Sequence, residues 1–442
     1  MRLLAYHVPA MDTATTAPRS RLTRNQVRGF WAAWSGWALD GMDSFIYALV
    51  LVPALTELLP RSGIVVSPGT IGYYGGVLFA LFLIGWGLSM AWGPIADRFG
   101  RVRTLMWTIL CYSLFTLLGA FAANLWQLAV FRLLAGVGIG GEWSMGGTFL
   151  AEEWPDDRRA KGAGLMHTGY YFGIFLAAIA NAFIGARYGW RMMFVFGGTP
   201  ALLVGFIRYG VHEPRRWQSR AAETDRRTTM DAPLRRLFSP MYARRTLLNS
   251  LYLLVSIVGL WAGSVYVPAS VTQIALREGH SQAEAARLAS YATMLLSTGT
   301  ILGCVLLPTL ADALGRRLTL GLYFALMFLG IAVGFGYVFY LPVGALAWFF
   351  ACLWFLGLGG ANFAMYTLWL PEQYTTDCRA SAFAFATSVG RFVGAGITFL
   401  VGAGVAHYRT IGTPVAFTAV AFLVGLALLP FGEETRGQAL PP

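Results

Sequence analysis

The chain has 442 residues, of which 57% are apolar and only 12% are charged. Soluble domains carry about twice that share of charged residues, so the composition excludes an ordinary soluble protein. The formal net charge of +12 does not indicate a nucleic-acid-binding protein, because the basic residues lie in short loops beside apolar segments.

Twelve segments are long and apolar enough to cross a bilayer, which takes roughly 20 residues of helix. We number them spans 1 to 12. They cover approximately residues 29–52, 70–92, 104–122, 126–149, 161–184, 190–209, 246–270, 288–308, 318–340, 344–369, 380–403 and 411–430. The sequence therefore predicts an all-α membrane protein with twelve transmembrane helices.

Polar stretches divide these spans into two groups of six. We expect a disordered cytoplasmic tail at residues 1–27, a first half at 28–209, a cytoplasmic linker at 210–245, a second half at 246–430 and a second cytoplasmic tail at 431–442. The linker is the longest polar stretch and has ten arginines in or beside it. We expect part of it to form a helix along the membrane surface.

The distribution of basic residues predicts the orientation. If the N-terminus is cytoplasmic, 25 of the 33 Lys and Arg residues lie in cytoplasmic segments and six lie in outer ones. Cytoplasmic loops are enriched in Lys and Arg, so both termini and the linker are predicted to be cytoplasmic. No apolar run precedes Val27, and we expect no cleavable signal peptide. These features predict a multi-pass protein of a cell membrane, the inner membrane in a bacterium.

Two loop motifs recur in the two halves. The stretch GPIADRFGRVR at Gly93–Arg103 is repeated as PTLADALGRRL at Pro308–Leu318. The Asp, Gly and Arg of the two copies keep a constant offset of 215 residues: Asp97 with Asp312, Gly100 with Gly315, and Arg101 with Arg316. A second motif repeats at an offset of 220: Glu152 with Arg159, and Glu372 with Arg379. The halves are therefore related repeats, as in transporters whose site lies between two pseudo-symmetric halves.

The strings GPIADRFGR, LADALGRR, RLLAGVGIGGE and EETRGQALP resemble the major facilitator superfamily, and the resemblance covers all twelve spans. Within that superfamily, GWALDGMDSF in span 1 is similar to the organic-acid/proton symporters, both the sialate and lactate branch and the aromatic-acid branch. The span 4 string RLLAGVGIGGEWSMGGTFLAEEWP fits the first branch slightly better. Span 7 lacks the His-containing signature of the yeast lactate permeases, which leaves the substrate open.

The resemblance implies that the repeated loop residues form a cytoplasmic gate. The alternative is that the arginines only satisfy the charge rule for cytoplasmic loops, but that rule does not require the acidic residues at fixed offsets. The expected gate residues are Gly93, Asp97, Arg98, Gly100, Arg101, Glu152, Arg159, Asp312, Gly315, Arg316, Glu372 and Arg379.

Span 1 carries two acids near its middle. Asp40 and Asp43 lie three residues apart on one helix face, with Tyr47 one turn beyond Asp43. A carboxylate at mid-bilayer costs about 2.5–3.5 kcal/mol on insertion scales, so it normally faces a cavity or a partner. We expect at least one of the two to carry a proton, and the sequence does not decide which. The alternative is a structural ion pair with an Arg of span 4 or 5.

Span 4 carries two further charged residues. Arg132 begins RLLAGVGIG, and the resemblance links an Arg at this position to proton coupling; the alternative is that its side chain extends to the membrane surface. Glu142 is either a second acidic site or a residue that packs against a neighbouring helix. We therefore assign Asp40, Asp43, Arg132 and Glu142 to proton coupling.

Arg391 lies near mid-depth in span 11 and corresponds to Tyr171 of the first half at the offset of 220. An Arg this far from either membrane surface requires an anion, and guanidinium geometry suits a carboxylate. Organic-anion members of the superfamily have a substrate-binding Arg on this helix. We expect Arg391 to bind the substrate; the alternative is a permanent salt bridge to Asp40 or Asp43.

Polar aromatic and amide residues are candidates for the rest of the substrate cavity, although each could equally serve in packing or at the membrane interface. They are Tyr47, Tyr170, Tyr171, Trp261, Tyr266, Asn362 and Tyr366.

Together these features predict a monomeric secondary transporter, not an enzyme, with no cofactor, metal or nucleic-acid partner. The expected activity is import of a small organic acid, such as a sialate-, lactate- or aromatic-acid-like substrate, together with a proton by alternating access. The alternatives are a neutral sugar or polyol carrier, suggested by the EETRGQALP ending, an efflux antiporter, and a membrane receptor without transport activity.

Overall fold

A computed structural model describes residues 21–223, 232–259 and 266–442, and the regular elements in these ranges are all helical. The helices of the first half are Arg24–Arg61 (span 1), Pro68–Leu88 and Trp92–Phe99 (span 2), Arg101–Gly119 (span 3), Leu125–Glu153 (span 4), Asp156–Ala180 (span 5), and Trp190–Gly197 with Ala201–Gly210 (span 6). A π-helical turn, Asn181–Gly185, and the short helix Ala186–Tyr188 follow span 5.

The second half repeats this arrangement. Its helices are Ala243–Gly259 and Val267–Arg277 (span 7), Gln282–Leu314 (span 8), Arg316–Gly336 (span 9), Ala345–Gly360 and Asn362–Trp369 (span 10), Arg379–Tyr408 (span 11), and Gly412–Phe417 with Val420–Leu428 (span 12). Two helices of the linker, Arg215–Glu223 and Ala232–Leu237, lie between the halves in sequence.

Ten of these helices are long and apolar enough to cross a membrane by composition alone. Spans 4 and 7 are the two predicted spans outside that set. Span 4 is nevertheless a continuous helix of 29 residues, which carries Arg132 and Glu142 among its apolar and glycine residues. Span 7 includes residues 260–265, which lie outside the described ranges.

Span 1 begins earlier than the sequence suggested. The Thr23 hydroxyl accepts a hydrogen bond from the Gln26 amide, and the Gln26 side chain accepts one from the Thr23 amide. This capping box starts the helix at Arg24, so part of the predicted 1–27 tail is helical.

Small residues allow the spans to approach closely. A Cβ on Gly85 of span 2 would meet the Leu133 carbonyl of span 4, and a Cβ on Gly136 would meet the Phe82 carbonyl of span 2. Spans 2 and 4 therefore pack backbone against backbone. The two halves meet where span 2 packs on span 11 and span 5 packs on span 8.

The loops with the repeated motifs lie at one end of the bundle, which we call the motif end. The linker packs against this end: the Trp217 indole donates a hydrogen bond to the Asp97 carbonyl oxygen at 3.0 Å. The chain after span 12 also returns to this end, where Leu440 is buried. The motif end therefore combines elements from both halves and from both connecting segments.

The span 2–span 4 contact can be tested with two glycines. We expect Gly136→Val to lower the thermal unfolding midpoint of the purified protein, because overpacking a close helix contact costs about 1–3 kcal/mol. Gly76→Val is the control, since a Cβ at exposed Gly76 meets no atom within 4 Å. Equal midpoints for the two variants would contradict the close packing of spans 2 and 4.

Candidate functional site

An ion pair joins spans 1 and 4 in the interior of the first half. Arg132 Nη1 lies 3.8 Å from Asp43 Oδ2, and both side chains are buried. The Arg132 guanidinium carbon also lies 4.5 Å from the Tyr47 ring centroid and 4.3 Å from that of Phe82. One carboxylate and two aromatic faces thus surround Arg132, which does not extend to the surface. The Tyr47 hydroxyl donates to the Gly75 carbonyl at 3.1 Å, which fixes this ring.

Asp40 and Glu142 are two further buried carboxyl groups between spans 1 and 4. Among the described residues, neither oxygen of Asp40 has a hydrogen-bond partner, and Glu142 has only the Thr108 hydroxyl at 3.5 Å. A Cβ on Gly36, one turn before Asp40, would collide with the Glu142 carboxylate. The two acids are close enough for their charges to interact. They form a carboxyl pair beside the Asp43–Arg132 ion pair.

Arg391 projects from span 11 toward span 2, across the interface between the halves. Its guanidinium carbon lies 3.8 Å from the ring centroid of Trp86, and Nη1 donates to the Thr387 carbonyl oxygen. Among the described side chains no carboxylate oxygen lies within 4.0 Å of its nitrogens, and Asp40 is the acid whose charge reaches it. The permanent salt bridge to Asp40 or Asp43 is therefore not formed in this structure.

Two adjacent tyrosines of span 5 have different surroundings. The Tyr170 ring packs on Trp37 at 5.0 Å between centroids, and its hydroxyl is near enough to Arg391 to act on its charge. The Tyr171 ring instead contacts His167, at 6.2 Å between centroids, and Tyr171 is buried. Tyr170, not the repeat-related Tyr171, is therefore the tyrosine beside Arg391.

The candidates on spans 7 and 10 also differ from one another. The Tyr366 hydroxyl is engaged with the Ser256 hydroxyl at 2.7 Å and the Tyr252 carbonyl at 2.8 Å, so it ties span 10 to span 7. Tyr266 is half-buried at the start of the second helix of span 7. Trp261 lies outside the described residues.

Asn362 occupies the break between the two helices of span 10. Its amide nitrogen donates to the Gly359 carbonyl at 2.8 Å, while the buried amide oxygen has no partner among the described residues. A buried polar atom without a partner is costly unless a ligand or water satisfies it. Asn362 is thus the span 10 residue with an unused hydrogen-bonding group.

An aromatic layer crosses the interface between the halves. The Trp143 indole of span 4 donates to the Thr367 hydroxyl of span 10 at 2.8 Å. His167 stacks on Phe363 with parallel rings 6.3 Å apart, and Trp37 stacks on Trp143 at 5.4 Å. These contacts join the halves between the central charges and the motif end.

At the motif end, each glutamate of the second repeated motif, Glu152 and Glu372, bonds arginines of both halves. Glu152 accepts from Arg101 of its own half and from Arg379 of the other half, both at 2.8 Å. All three side chains are buried. Buried, charge-assisted hydrogen bonds of this kind are stronger than surface ion pairs.

Glu372 makes the corresponding contacts from the second half. It accepts from Arg316 at 2.9 Å and lies 3.4 Å from Arg159 of the first half, which also pairs with Asp156. The two glutamates therefore form crossed bridges, one in each direction, and these bridges join the two halves at the motif end in this structure.

The two loop aspartates are not equivalent. Asp97 is buried, pairs with Arg101 at 3.0 Å, and accepts from the Ser381 amide at 2.9 Å and hydroxyl at 2.6 Å. It therefore caps the start of span 11 in the opposite half. The side chain of its repeat partner Asp312 is 69% exposed, and its ion pair with Arg316 is longer, at 3.7 Å. The repeat thus predicts a symmetry that the structure does not follow at this position.

The predicted glycines occupy tight places in the same loops. A Cβ on Gly93 would meet the Ser381 backbone of span 11. Gly100 and Gly315 have φ values of 110° and 84°, which favour glycine. Arg98 is exposed, with its guanidinium over the Phe99 ring at 5.7 Å.

Two further glutamates at the motif end were not identified from the sequence. Glu213 accepts from the amides of Arg101 and Val102, at 2.7 and 3.1 Å, at the first turn of span 3. Glu434 accepts from the Arg316 amide at 2.9 Å at the first turn of span 9. Burial raises the pKa of the Glu213 carboxyl, and the amide donors and Arg101 act in the opposite direction. Glu213 and Glu434 are 221 residues apart, close to the 220 residues that separate Glu152 from Glu372. This offset is the sequence signal that could have identified them.

The segment predicted as a C-terminal tail also contacts Glu372 and Arg379 at the motif end. The Thr435 hydroxyl donates to Glu372 at 2.6 Å, and Arg379 donates to the Pro441 carbonyl at 2.6 Å. Arg216 of the linker donates to the Leu440 carbonyl at 3.0 Å. This segment therefore links the linker to the second half. The described residues contain no group of three or more His, Cys, Asp or Glu side chains that could hold a metal ion.

The profile of the Major Facilitator Superfamily matches residues 33–398 of the chain. The chain belongs to the major facilitator superfamily. The match confirms the resemblance drawn from the motifs and the predicted fold of twelve transmembrane helices in two pseudo-symmetric halves. This facilitator is a multi-pass membrane transport protein and not an enzyme.

Individual relatives cover nearly the whole facilitator. A probable 4-methylmuconolactone transporter of Cupriavidus pinatubonensis is 31% identical, over 94% of this chain and 92% of the relative. The niacin transporter NiaP of Acinetobacter baylyi is 28% identical, over 93% and 94% of the two chains. The solved proton:xylose symporter XylE, bound to 6-bromo-6-deoxy-D-glucose, matches with a TM-score of 0.75 and 18% identity, over 94% of this chain and 98% of that one. The last likeness shows the shared fold.

The unequal aspartates provide a matched test of the gate. We expect Asp97→Asn to increase the population of conformers open at the motif end about tenfold, because it weakens charge-assisted bonds worth about 1.5–3 kcal/mol. Electron spin resonance distances between labels at exposed Lys161 and Leu314, one in each half, measure the opening.

Asp312→Asn is the control for this measurement, since Asp312 is exposed. We expect it to leave the distance distribution unchanged. Equal effects of the two substitutions would contradict a specific closing role for Asp97.

Proposed function

We propose that this facilitator imports a small organic acid together with a proton. The observation that carries the proposal is the state of Arg391, a buried guanidinium between the halves that contacts an aromatic ring and a backbone carbonyl but no described carboxylate. A buried cation without a fixed counter-ion is a binding site for an anion. A substrate carboxylate supplies that anion with suitable geometry.

The relatives support the same class of substrate. Niacin is a pyridine carboxylic acid, and 4-methylmuconolactone is a small ring metabolite of comparable size. Sialate-, lactate- and aromatic-acid-like compounds remain within this class. Tyr170 and the free amide oxygen of Asn362 are the further groups that we assign to substrate binding.

Proton coupling is assigned to the acids of spans 1 and 4. Asp40 and Glu142 are buried without a cation within 4.0 Å among the described side chains, and burial of two unpaired carboxylates is strongly unfavourable. At least one proton on this pair removes that cost. Asp43 has Arg132 as its counter-ion, so its ionised form is compensated. We therefore assign the transported proton to the Asp40–Glu142 pair and a charge-holding role to the Asp43–Arg132 pair.

In the proposed cycle, the acid and the proton enter while the motif end is closed. The substrate carboxylate neutralises Arg391, and the proton neutralises Asp40. The gate bridges then separate, and the halves rock so that both are released at the motif end, which we assign to the cytoplasm from the excess of arginines there. We propose that the protein performs this cycle as a monomer. We place it in the cell membrane, the inner membrane of a bacterium, with both termini in the cytoplasm.

The anchoring role predicts that Arg391→Gln weakens binding of the acid at least about tenfold, because a charge-assisted hydrogen bond contributes about 1.5–3 kcal/mol. Thermal shift and calorimetry of purified protein with nicotinate, benzoate, N-acetylneuraminate and lactate measure this effect, with xylose as the neutral comparison. Arg61→Gln is the control, since that side chain is half-exposed in a surface pair with Glu57. Unchanged acid binding by folded Arg391→Gln protein, or xylose as the bound compound, would refute the proposal.

The proton assignment predicts different behaviour for the two span 1 acids. We expect Asp40→Asn to abolish uptake driven by a pH gradient in proteoliposomes but to preserve exchange of labelled for unlabelled acid. Asp43→Asn removes the counter-ion of Arg132, so we expect both activities to fall. If Asp40→Asn retained uptake with the pH dependence of the wild-type protein, the proton would not travel on Asp40.

A further inference from the structure

Trp86 of span 2 contacts the Arg391 guanidinium across the interface between the halves. It is buried, and its ring lies against span 4 at a position where a Cβ on Gly140 would collide with it. The glycines of span 4 therefore let a large indole pack between span 4 and span 11. One face of the guanidinium is covered by this ring at 3.8 Å.

An aromatic face differs from a carboxylate as a partner for a buried arginine. It attracts the cation through its quadrupole, and the attraction strengthens when water is excluded. It does not occupy the N–H groups at the edge of the guanidinium. Among the described residues, Nε of Arg391 has no hydrogen-bond partner. Arg391 is thus held in position while part of its hydrogen-bonding edge stays unused.

Phe82 extends this arrangement along the same face of span 2. It lies one turn before Trp86, with the two rings edge to face at 5.9 Å, and it covers Arg132 at 4.3 Å. Phe82 and Trp86 therefore lie between Arg132 and Arg391. Arg132 has a carboxylate partner in Asp43, whereas Arg391 does not.

We propose that Trp86 is a positioning residue that holds Arg391 away from Asp40 and keeps its edge available to the substrate carboxylate. The inference rests on the proposed role of Arg391 in binding the acid. Without the ring, Arg391 turns to Asp40, the acid whose charge already reaches it. An internal salt bridge then competes with the substrate for the same N–H groups.

The experiment compares Trp86→Leu, which removes the aromatic face, with Trp86→Phe, which keeps a smaller one. Trp107→Leu is the matched control, because Trp107 is exposed on the outer face of span 3. The probes are nicotinate, benzoate, N-acetylneuraminate and lactate, each measured by calorimetric binding and by uptake into proteoliposomes. The wild-type protein and these three variants are compared with Arg391→Gln and with the Trp86→Leu/Arg391→Gln double variant.

We expect Trp86→Leu to raise the Kd and KM of the bound acid roughly tenfold, which corresponds to about 1.4 kcal/mol, with a maximal rate within about twofold of the wild type. We expect the Kd of the Trp86→Phe variant to stay within about threefold of the wild-type value, because Phe keeps an aromatic face. In the Arg391→Gln background, Trp86→Leu causes no further loss, because the two residues act through one interaction. A purely structural role of Trp86 would give additive losses and no rescue by Phe.

The outcomes separate the inference from the function on which it rests. If Arg391→Gln leaves acid binding unchanged, or none of the four acids binds the wild-type protein, both fail. If Arg391→Gln removes binding while Trp86→Leu binds like the wild type, only the positioning role fails. Additive losses in the double variant, or a Trp86→Phe protein as weak as Trp86→Leu, also overturn the positioning role.

Discussion

Two buried arginines set the main physical constraint on this structure, because a charge inside a membrane bundle must be compensated locally. The protein compensates them in different ways. Arg132 has a carboxylate, Asp43, and two aromatic rings, so its charge is balanced within one half. Arg391 has Trp86 and a backbone carbonyl, which hold it without neutralising it. The charge of Arg132 therefore has a counter-ion within the protein, whereas in the function that we propose an anion from outside the protein supplies the counter-ion of Arg391. This difference is the reason why we propose Arg391, and not Arg132, as the group that binds the substrate.

At the motif end, in contrast to Arg391, buried arginines are paired with carboxylates of the protein itself. Four buried arginines at this end have carboxylate partners, and each of Glu152 and Glu372 joins one arginine of its own half to one of the other half. Because the bridges cross in both directions, neither half can rotate without breaking both. Asp97 adds contacts at the start of span 11 that its repeat Asp312 lacks. Closure at this end therefore depends on many paired buried charges, each of which meets water when the end opens and so recovers part of the lost energy.

The sequence was informative where a residue type is unusual in its setting. Long apolar runs predicted the spans, and acids recurring at fixed offsets, such as Glu152, predicted which side chains meet at the gate. It was less informative where the partner is an ordinary residue: Trp86 is one of 15 tryptophans in an apolar chain, and nothing local marks its contact with Arg391.

The internal repeat also did not predict burial, since Asp97 and Asp312 hold equivalent positions in the two motifs but only the Asp97 side chain is buried. The partners of Tyr366 depend on the break in span 10 and on its packing against span 7, which single-sequence patterns do not contain.

Spans 2 and 11 connect the two charge systems. They run in opposite directions across the interface, and their contacts step regularly from the centre to the motif end: Trp86 with Arg391, Ser89 with Ser388, and Asp97 with Ser381. Because both spans are helical along these contacts, separating them at the motif end also changes the angle at which they meet further in. In the proposed cycle, a substrate bound at the edge of Arg391 acts on the inner end of this series of contacts, and opening of the motif end acts on its outer end. We infer that, in the proposed cycle, the two events act on one helix–helix contact and need no separate relay between the substrate site and the motif end.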